Sequence, residues 1–517
     1  MTNAEGVGKK RNWAGWVIAA LVVLAVPTAF FGLGWITWPL MWLVRNPLVV
    51  VAAAAVYYVT SNFVRIKDLK AIYKDDRPAQ TQRNRQHMRR AWLTILIAGP
   101  LIALGWVLLT WGQQVQYADS YTTDPAVPSY EYRAPFVVAE QLANRDLDDV
   151  IGDRVGVHAV QDAESPNQYT SLVVRRGWIE GYEAVQVITP PLVGAQNQTS
   201  NACRFNPEHK YRLDGFAPTN NLGYPLSFKR PLTFWDGNDA YGYCDGDQPV
   251  VVVPLKTLGG FWPILTERPA GIALYRDGEL SVYTATEVPE DVVGPTYPRS
   301  IAAAQRTAST ASGSFADWIF KRAGFDTAGE SVEENEDEEA PTTTTNEPNA
   351  ANAVDFSLVN DGGAGEYVTA LTPVGSSESV VALGHVGNRQ TGSDLNPYVV
   401  SRYPEALPAL STSENRIRSD FNDLPGWASG MRVMEITPAA DGNYVASIGQ
   451  NQVVTYRMLV ATDGTVTVLD QAGSAAPIPG SVDETPSDLA DPKSLSTEEL
   501  QRLIKEFADE LASRAEG

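Results

Sequence analysis

Cysteine, histidine and methionine are scarce in this sequence: two, four and six residues among 517. Few soft or imidazole ligands leave few ways to build a transition-metal site, and His87, His158, His209 and His385 are scattered without ligand spacing. A glycine-rich phosphate loop, a G-x-S-x-G elbow and a paired His-Glu motif are missing as well. No catalytic residue, metal or cofactor is therefore assigned. A carboxylate-based active site stays open as an alternative, because 57 Asp and Glu follow residue 90.

Positive charge is thin beyond the first sixth of the chain. Residues 1–90 hold 13 Lys and Arg against 4 Asp and Glu, whereas the remainder holds 27 against 57, a balance of −30. An acidic body repels the phosphates of nucleic acid and favours solubility, so no nucleic-acid partner is expected. The split in sign also places the two parts in different surroundings.

Charge of either sign is absent from Asn12–Val44, Asn46–Val64 and Ala91–Ala118. About 20 apolar residues cross a bilayer as a helix. The runs 13–33, 46–64 and 91–112 meet that length, and Trp92, Trp106 and Trp111 sit where interfacial indoles are common. The segment 34–44, with Pro39 and three tryptophans, reads as lying along the interface. A cleaved signal peptide fits poorly, since the first run is long and no small-residue cleavage site ends it.

Between the second and third runs, residues 65–90 carry nine Lys and Arg, and Lys9, Lys10 and Arg11 precede the first run. Basic residues beside a span resist translocation, so both segments are expected in the cytoplasm. Arg65, Lys67, Lys70, Lys74, Arg89 and Arg90 are the topology determinants on this reading. They also suit anionic lipid headgroups, at roughly 1 kcal/mol per basic residue near the surface. Three crossings deliver everything after residue 112 to the extracytoplasmic side.

The expected fold is a membrane protein: three N-terminal transmembrane α-helices, two extracytoplasmic α+β or mainly-β domains, and a C-terminal amphipathic helix. Its divisions are a cytoplasmic tail 1–12, an anchor 13–112 with the basic loop 65–90, a first domain 125–325 and a linker 329–352. A second domain 354–472, a spacer 473–493 and a helix 495–515 follow. In the first domain, "FVVAEQLANRDLDDVIG" has helical spacing, while "YTSLVVRR", "EAVQVITP" and "PVVVVPL" are strand-like. "GIALYRDGELSVYTA" is a hairpin about Arg276-Asp277-Gly278, and "QVVTYRMLVATDGTVTVLD" in the second domain has the same design, which leaves a repeat open. The linker, acidic and threonine-rich, is of a composition that cannot bury enough surface to order itself.

Cys203 and Cys244 enclose 40 turn-rich residues. Outside the cytoplasm thiols oxidise, so a disulfide is expected, ahead of a metal pair or a nucleophilic thiol. Asp236, Asn238, Asp239, Asp245 and Asp247 crowd into 12 positions and are calcium candidates by composition alone. Their order does not fit an EF-hand loop, and Asp-Gly pairs make turns more often than metal sites. Asn197-Gln198-Thr199 is a glycosylation sequon. In the last segment Ser496 and Glu499 form a capping box, and Leu500, Leu503, Ile504, Phe507 and Leu511 make one apolar stripe. That stripe suits docking on its own domain, or coiled-coil pairing with a partner or second copy.

The expected function is a membrane-anchored extracytoplasmic binding or scaffold protein, such as a subunit of an envelope secretion, conjugation or transport assembly. Its partners would be the membrane and other envelope proteins, or itself. The alternative is a carboxylate-dependent hydrolase or other envelope enzyme. A one-chain signal receptor is disfavoured, because the cytoplasm would receive only short segments.

Overall fold

The computed structural model describes residues 25–72, 77–145, 150–194, 199–216, 218–328, 356–375, 379–450, 453–470 and 473–476. The linker and the amphipathic helix, with Leu500, Leu503, Ile504, Phe507 and Leu511, lie outside them, as does most of the run 13–33.

The chain enters as a helix over 25–31 (α1), which ends at Gly32 with φ +70°, a conformation that suits glycine. Three further helices follow: α2 (Gly34–Arg45), α3 (Pro47–Ile72) and α4 (Arg77–Ala118). Pro47 opens α3 at a position where a missing N–H costs nothing. Two stretches, Pro47–Ile66 and Thr81–Ala118, are long and apolar enough to cross a membrane. They run antiparallel: Leu48 packs where Gly105 leaves room, and Asn62 bonds His87 near the other end, Nδ1 to Oδ1 at 2.8 Å. The basic segment 65–90, read from sequence as a loop, is helical to Ile72 and again from Arg77. No glycine or proline interrupts 65–72, and Pro78 falls in the first turn of α4, where it is tolerated.

The body begins with β1 (Tyr121–Asp124), α5 (Phe136–Arg145), β2 (Asp153–Ala159), β3 (Tyr169–Val174), β4 (Tyr182–Thr189) and β5 (Thr199–Arg204). Next come α6 (Gly223–Lys229), β6 (Tyr241–Asp245), β7 (Gln248–Phe261), β8 (Ile264–Arg276) and β9 (Glu279–Tyr283). Then come α7 (Arg299–Thr307), a 3-10 turn and α8 (Phe315–Ile319), ahead of β10 (Phe325–Thr327). The later strands are β11 (Phe356–Val359), β12 (Gly365–Pro373), β13 (Val380–Gly387) and β14 (Tyr398–Leu407). After α9 (Leu410–Asp420) come β15 (Arg432–Pro438), β16 (Tyr444–Gln450), β17 (Val453–Val460) and β18 (Val466–Leu469).

These strands make antiparallel four-stranded sheets in the orders β2-β3-β4-β5, β6-β7-β8-β9 and β15-β16-β17-β18, and one six-stranded sheet. The hairpin about Asp277-Gly278 forms as its sequence indicates, both residues having positive φ. The first two sheets face each other across a core that includes Leu172, Val185, Val253, Leu255 and Tyr275. Cys203 on β5 and Cys244 on β6 join these sheets as a disulfide, with Cα atoms 5.9 Å apart.

The six-stranded sheet draws on both sequence regions. β1 pairs parallel with β14 and β10 pairs antiparallel with β12. Three further ties cross the same divide. Tyr130 and Ala328 sit in the core of the later strands; Met434 and Val454 sit in the core under α5. The buried Arg133 reaches Glu435 on β15 at 3.1 Å. The two β-rich regions are thus stitched together, and this sheet is where they meet.

Candidate functional site at the helix–sheet junction

The short helix α2 carries tryptophans at 35, 38 and 42, spaced i, i+3 and i+7, so their side chains share one side of the helix. That side leans on the body. The approach at its start is close: a Cβ on Gly32 would lie 2.5 Å from Ser227 Oγ on α6, and that hydroxyl accepts the Leu33 N–H at 3.0 Å. Trp38 meets Trp235 edge to face, ring centres 4.8 Å apart. Between helix and body lies a cavity of about 720 Å³, lined by Trp35, Trp38, Met41 and Trp42 on one wall and by Leu213, Phe234, Trp235 and Leu258 on the other.

Arg45 and Glu267 also line this cavity and form an ion pair. Glu267 is shared: its second oxygen takes the Lys256 ammonium at 3.1 Å. Lys256, buried on β7 with its ammonium over the Phe234 ring at 5.3 Å, also donates to Ser300 Oγ at 3.0 Å. Ser300 in turn donates its hydroxyl to Asp239 at 2.6 Å and its N–H to the same carboxylate at 3.2 Å. Burial pushes the Asp239 carboxyl above its ordinary value, while the Ser300 bonds and Lys256 pull it back. The result is one polar chain, Arg45–Glu267–Lys256–Ser300–Asp239, running from α2 through β7 and β8 to α7.

The same strands grip α4. Gln116 donates to the carbonyl of Ile264 at 2.9 Å and accepts from Thr266 at 3.2 Å; Tyr117 accepts the Glu267 N–H at 3.0 Å. A Cβ on Gly112 would sit 2.7 Å from Ile264 Cδ1. The ends of α2 and α4 are therefore clamped to the hairpin of β7 and β8 by hydrogen bonds, an ion pair and close packing.

No protein-family model, curated protein or solved structure matches the chain. An open, mainly apolar cavity rich in aromatic side chains, with Arg45 and Glu267 among its lining, suits retention of an apolar or amphipathic molecule.

Of the residues singled out in the sequence, Cys203 and Cys244 pair as expected. The acidic cluster is spread over separate tasks. Asp236 caps the 3-10 turn at 237–239 through the Asn238 N–H, at 3.0 Å; Asp239 belongs to the polar chain; Asp245 pairs with Arg276 at 3.1 Å. Asp247 borders a second hollow, of about 360 Å³, with His209 and Asp277. Among the described residues no three His, Cys, Asp or Glu stand close enough to hold a metal ion. Arg65, Arg89 and Arg90 are exposed at the end of the α3–α4 hairpin far from the body. The side chains of Lys67 and Lys70, and Lys74 as a whole, are outside the described residues.

The sequence reading missed Glu267, Lys256 and the cavity itself. The tryptophan spacing in α2 was the available signal, but it could not identify the surface on which that face rests. One group resembles catalytic chemistry: His385 lies 3.1 Å from Glu366 through Nδ1 and 3.3 Å from Ser401 through Nε2. Ser401 is wholly buried, however, and Glu366 also accepts from Tyr130 and Asn360, both at 2.9 Å. These hydrogen bonds hold the Glu366 carboxyl below its ordinary value against the opposing effect of burial. The group laces β12, β13 and β14 together.

Proposed function

We propose that the chain is a membrane-anchored binding and scaffold protein whose β-rich body is held rigidly on the extracytoplasmic face of its anchor. The observation that carries this reading is the α3–α4 hairpin, whose apolar stretches are only 6% buried although each is long enough to cross a bilayer. Surface of that kind, left in water, is a strong liability; in lipid it is at rest. The third crossing of this proposal is the run 13–33 read from sequence, most of which lies outside the described residues. Orientation rests on charge: Arg65, Arg89 and Arg90 mark the end away from the body, where basic residues resist translocation.

The end near the body has the opposite character and supports the same placement. Phe261 and Trp262, 79% and 61% exposed, form the tip of the β7–β8 hairpin beside Gln116 of α4. Ile319, the last residue of α8, and Phe320 after it are exposed; in the same helix Trp318 bonds Gln114 and Phe315 packs on Trp111. Aromatic side chains gathered at the end of a spanning helix are typical of a membrane–water interface. The Cys203–Cys244 disulfide suits an oxidising compartment.

In this reading the clamp at β7 and β8 transmits position from anchor to body, and the segment 495–515 recruits an envelope partner or a second copy. Affinity capture from mild detergent tests it. Full-length chain should bring down stoichiometric partners or a homo-oligomer, and removal of residues after 494 should release them. A monomer that captures nothing in both forms would count against the scaffold role.

A further inference from the structure

We infer that the cavity between α2 and the body holds one acyl chain of a membrane phospholipid, with the lipid phosphate at Arg45. The inference rests on the membrane anchoring proposed above and deepens it by naming the ligand class.

The cavity is continuous with apolar surface that is open at the junction of body and anchor. Asn46 is the single residue between α2 and α3, so the cavity wall leads directly into a helix whose apolar surface is open. α2 exposes apolar side chains away from the tryptophan side as well: Leu40 is 51% exposed, and at the cavity's rim Trp42 is 53% and Phe31, just ahead of α2, 63% exposed. Its one charged residue is Arg45. A helix lying on water would present polar residues on that outer face. With lipid on its outside, α2 separates the bilayer from the cavity by the thickness of one helix, and Phe31 and Trp42 belong both to the cavity lining and to the open surface.

The cavity, of about 720 Å³ and open along one side, is lined mainly by apolar side chains with Arg45, Asn221 and Glu267 among them, so most of its wall offers water few hydrogen-bond partners. An acyl chain entering past Phe31 and Trp42 would meet mainly apolar surroundings, with the charged groups gathered at Arg45 and Glu267. Along the polar chain Arg45 and Lys256 are balanced by Glu267 and Asp239, so a phosphate would be met by the guanidinium of Arg45 itself and not by an excess of positive charge. Arg45 keeps part of its side chain exposed beside the cavity, so its remaining N–H groups can meet a phosphate.

Photolabelling tests this in the full chain reconstituted into phosphatidylglycerol bilayers. One probe is phosphatidylglycerol with a diazirine at the end of one acyl chain; the other carries the diazirine on its headgroup. The tail probe is expected to label Phe234, Trp235 or Leu258 on the body wall, and the head probe the region of Arg45. Leu258→Trp, which fills the chamber, should reduce tail labelling of the body wall at least tenfold. Leu258→Phe should reduce it less, with the disulfide and the thermal midpoint of both variants near wild type. Tail labels confined to residues 47–66 and 91–112 in the wild-type chain would overturn the inference, whatever the variants do. Retention of the chain in alkaline-washed membranes is scored separately. A chain that washes off defeats the anchoring itself, whereas a retained chain without body-wall labels defeats only the lipid site.

Discussion

Glu267 is a residue on which contacts from both α2 and α4 converge. It balances Arg45 from α2 and the buried Lys256 from β7, and its N–H is held by Tyr117 of α4. Glu267→Gln keeps the shape but leaves Lys256 buried without its carboxylate. Breaking a buried pair in this way costs on the order of 3 kcal/mol or more. Thermal unfolding in detergent should show the loss, and an unchanged midpoint would remove the clamp from the account. A second residue-scale expectation concerns pH. Burial, aided by the Arg299 charge, lowers the His158 imidazole to about 4. A base whose folded value is depressed stabilises the fold above its unfolded value, near 6.5. That contribution is lost as pH falls from there toward 4, because the unfolded chain takes up the proton first. It amounts to roughly 2 kcal/mol after allowance for partial exposure. His158→Gln should flatten the fall in thermal midpoint between pH 7 and pH 5, and a variant as steep as wild type would contradict the assignment.

Among the elements, the long hairpin of β7 and β8 carries the site, and its shape depends on glycine. At Gly271 φ is +110° and a Cβ would fall 1.9 Å from the carbonyl oxygen of Tyr283, next to the register shift between Leu255 and Lys256. Gly271→Ala is therefore expected to lose several kcal/mol or to prevent folding, and circular dichroism with a denaturant titration reads either result. The disulfide acts at the same scale by tying β5 to β6. Cys203→Ser with Cys244→Ser should cost roughly 4 kcal/mol on the chain-entropy model for a loop of this length. A change below about 1 kcal/mol by the same titration would refute that.

The strands of this hairpin were legible from sequence because alternation and β-branched runs such as "PVVVVPL" report local burial. β1 and β10 were not. Each is three or four residues long, and each finds its partner in β14 or β12 across tens to hundreds of residues, so no local pattern marks them. The candidate site was half legible for the same reason. The tryptophans of α2 were visible as a cluster, but the polar chain unites residues 45, 267, 256, 300 and 239, which only the fold brings together. Acids crowded into 236–247 suggested a common ligand, yet strand alternation and turns send them to different neighbours.

For the whole molecule, charge and apolar surface divide the chain into an anchor and a body, and the shared sheet makes the body's two β-rich regions one connected structure. On the function proposed above, such a body, clamped at α2 and α4, would hold a binding surface at a set height above a bilayer. The central claim is the side of the membrane on which that body stands. Two single cysteines added to the otherwise unchanged chain measure it, one replacing the exposed Asp463 in the β17–β18 turn and one replacing the exposed Arg85 on α4. Intact cells treated with a membrane-impermeant maleimide should label the Asp463→Cys chain at once, and the Arg85→Cys chain only after permeabilisation. Labelling in the reverse order would contradict the account.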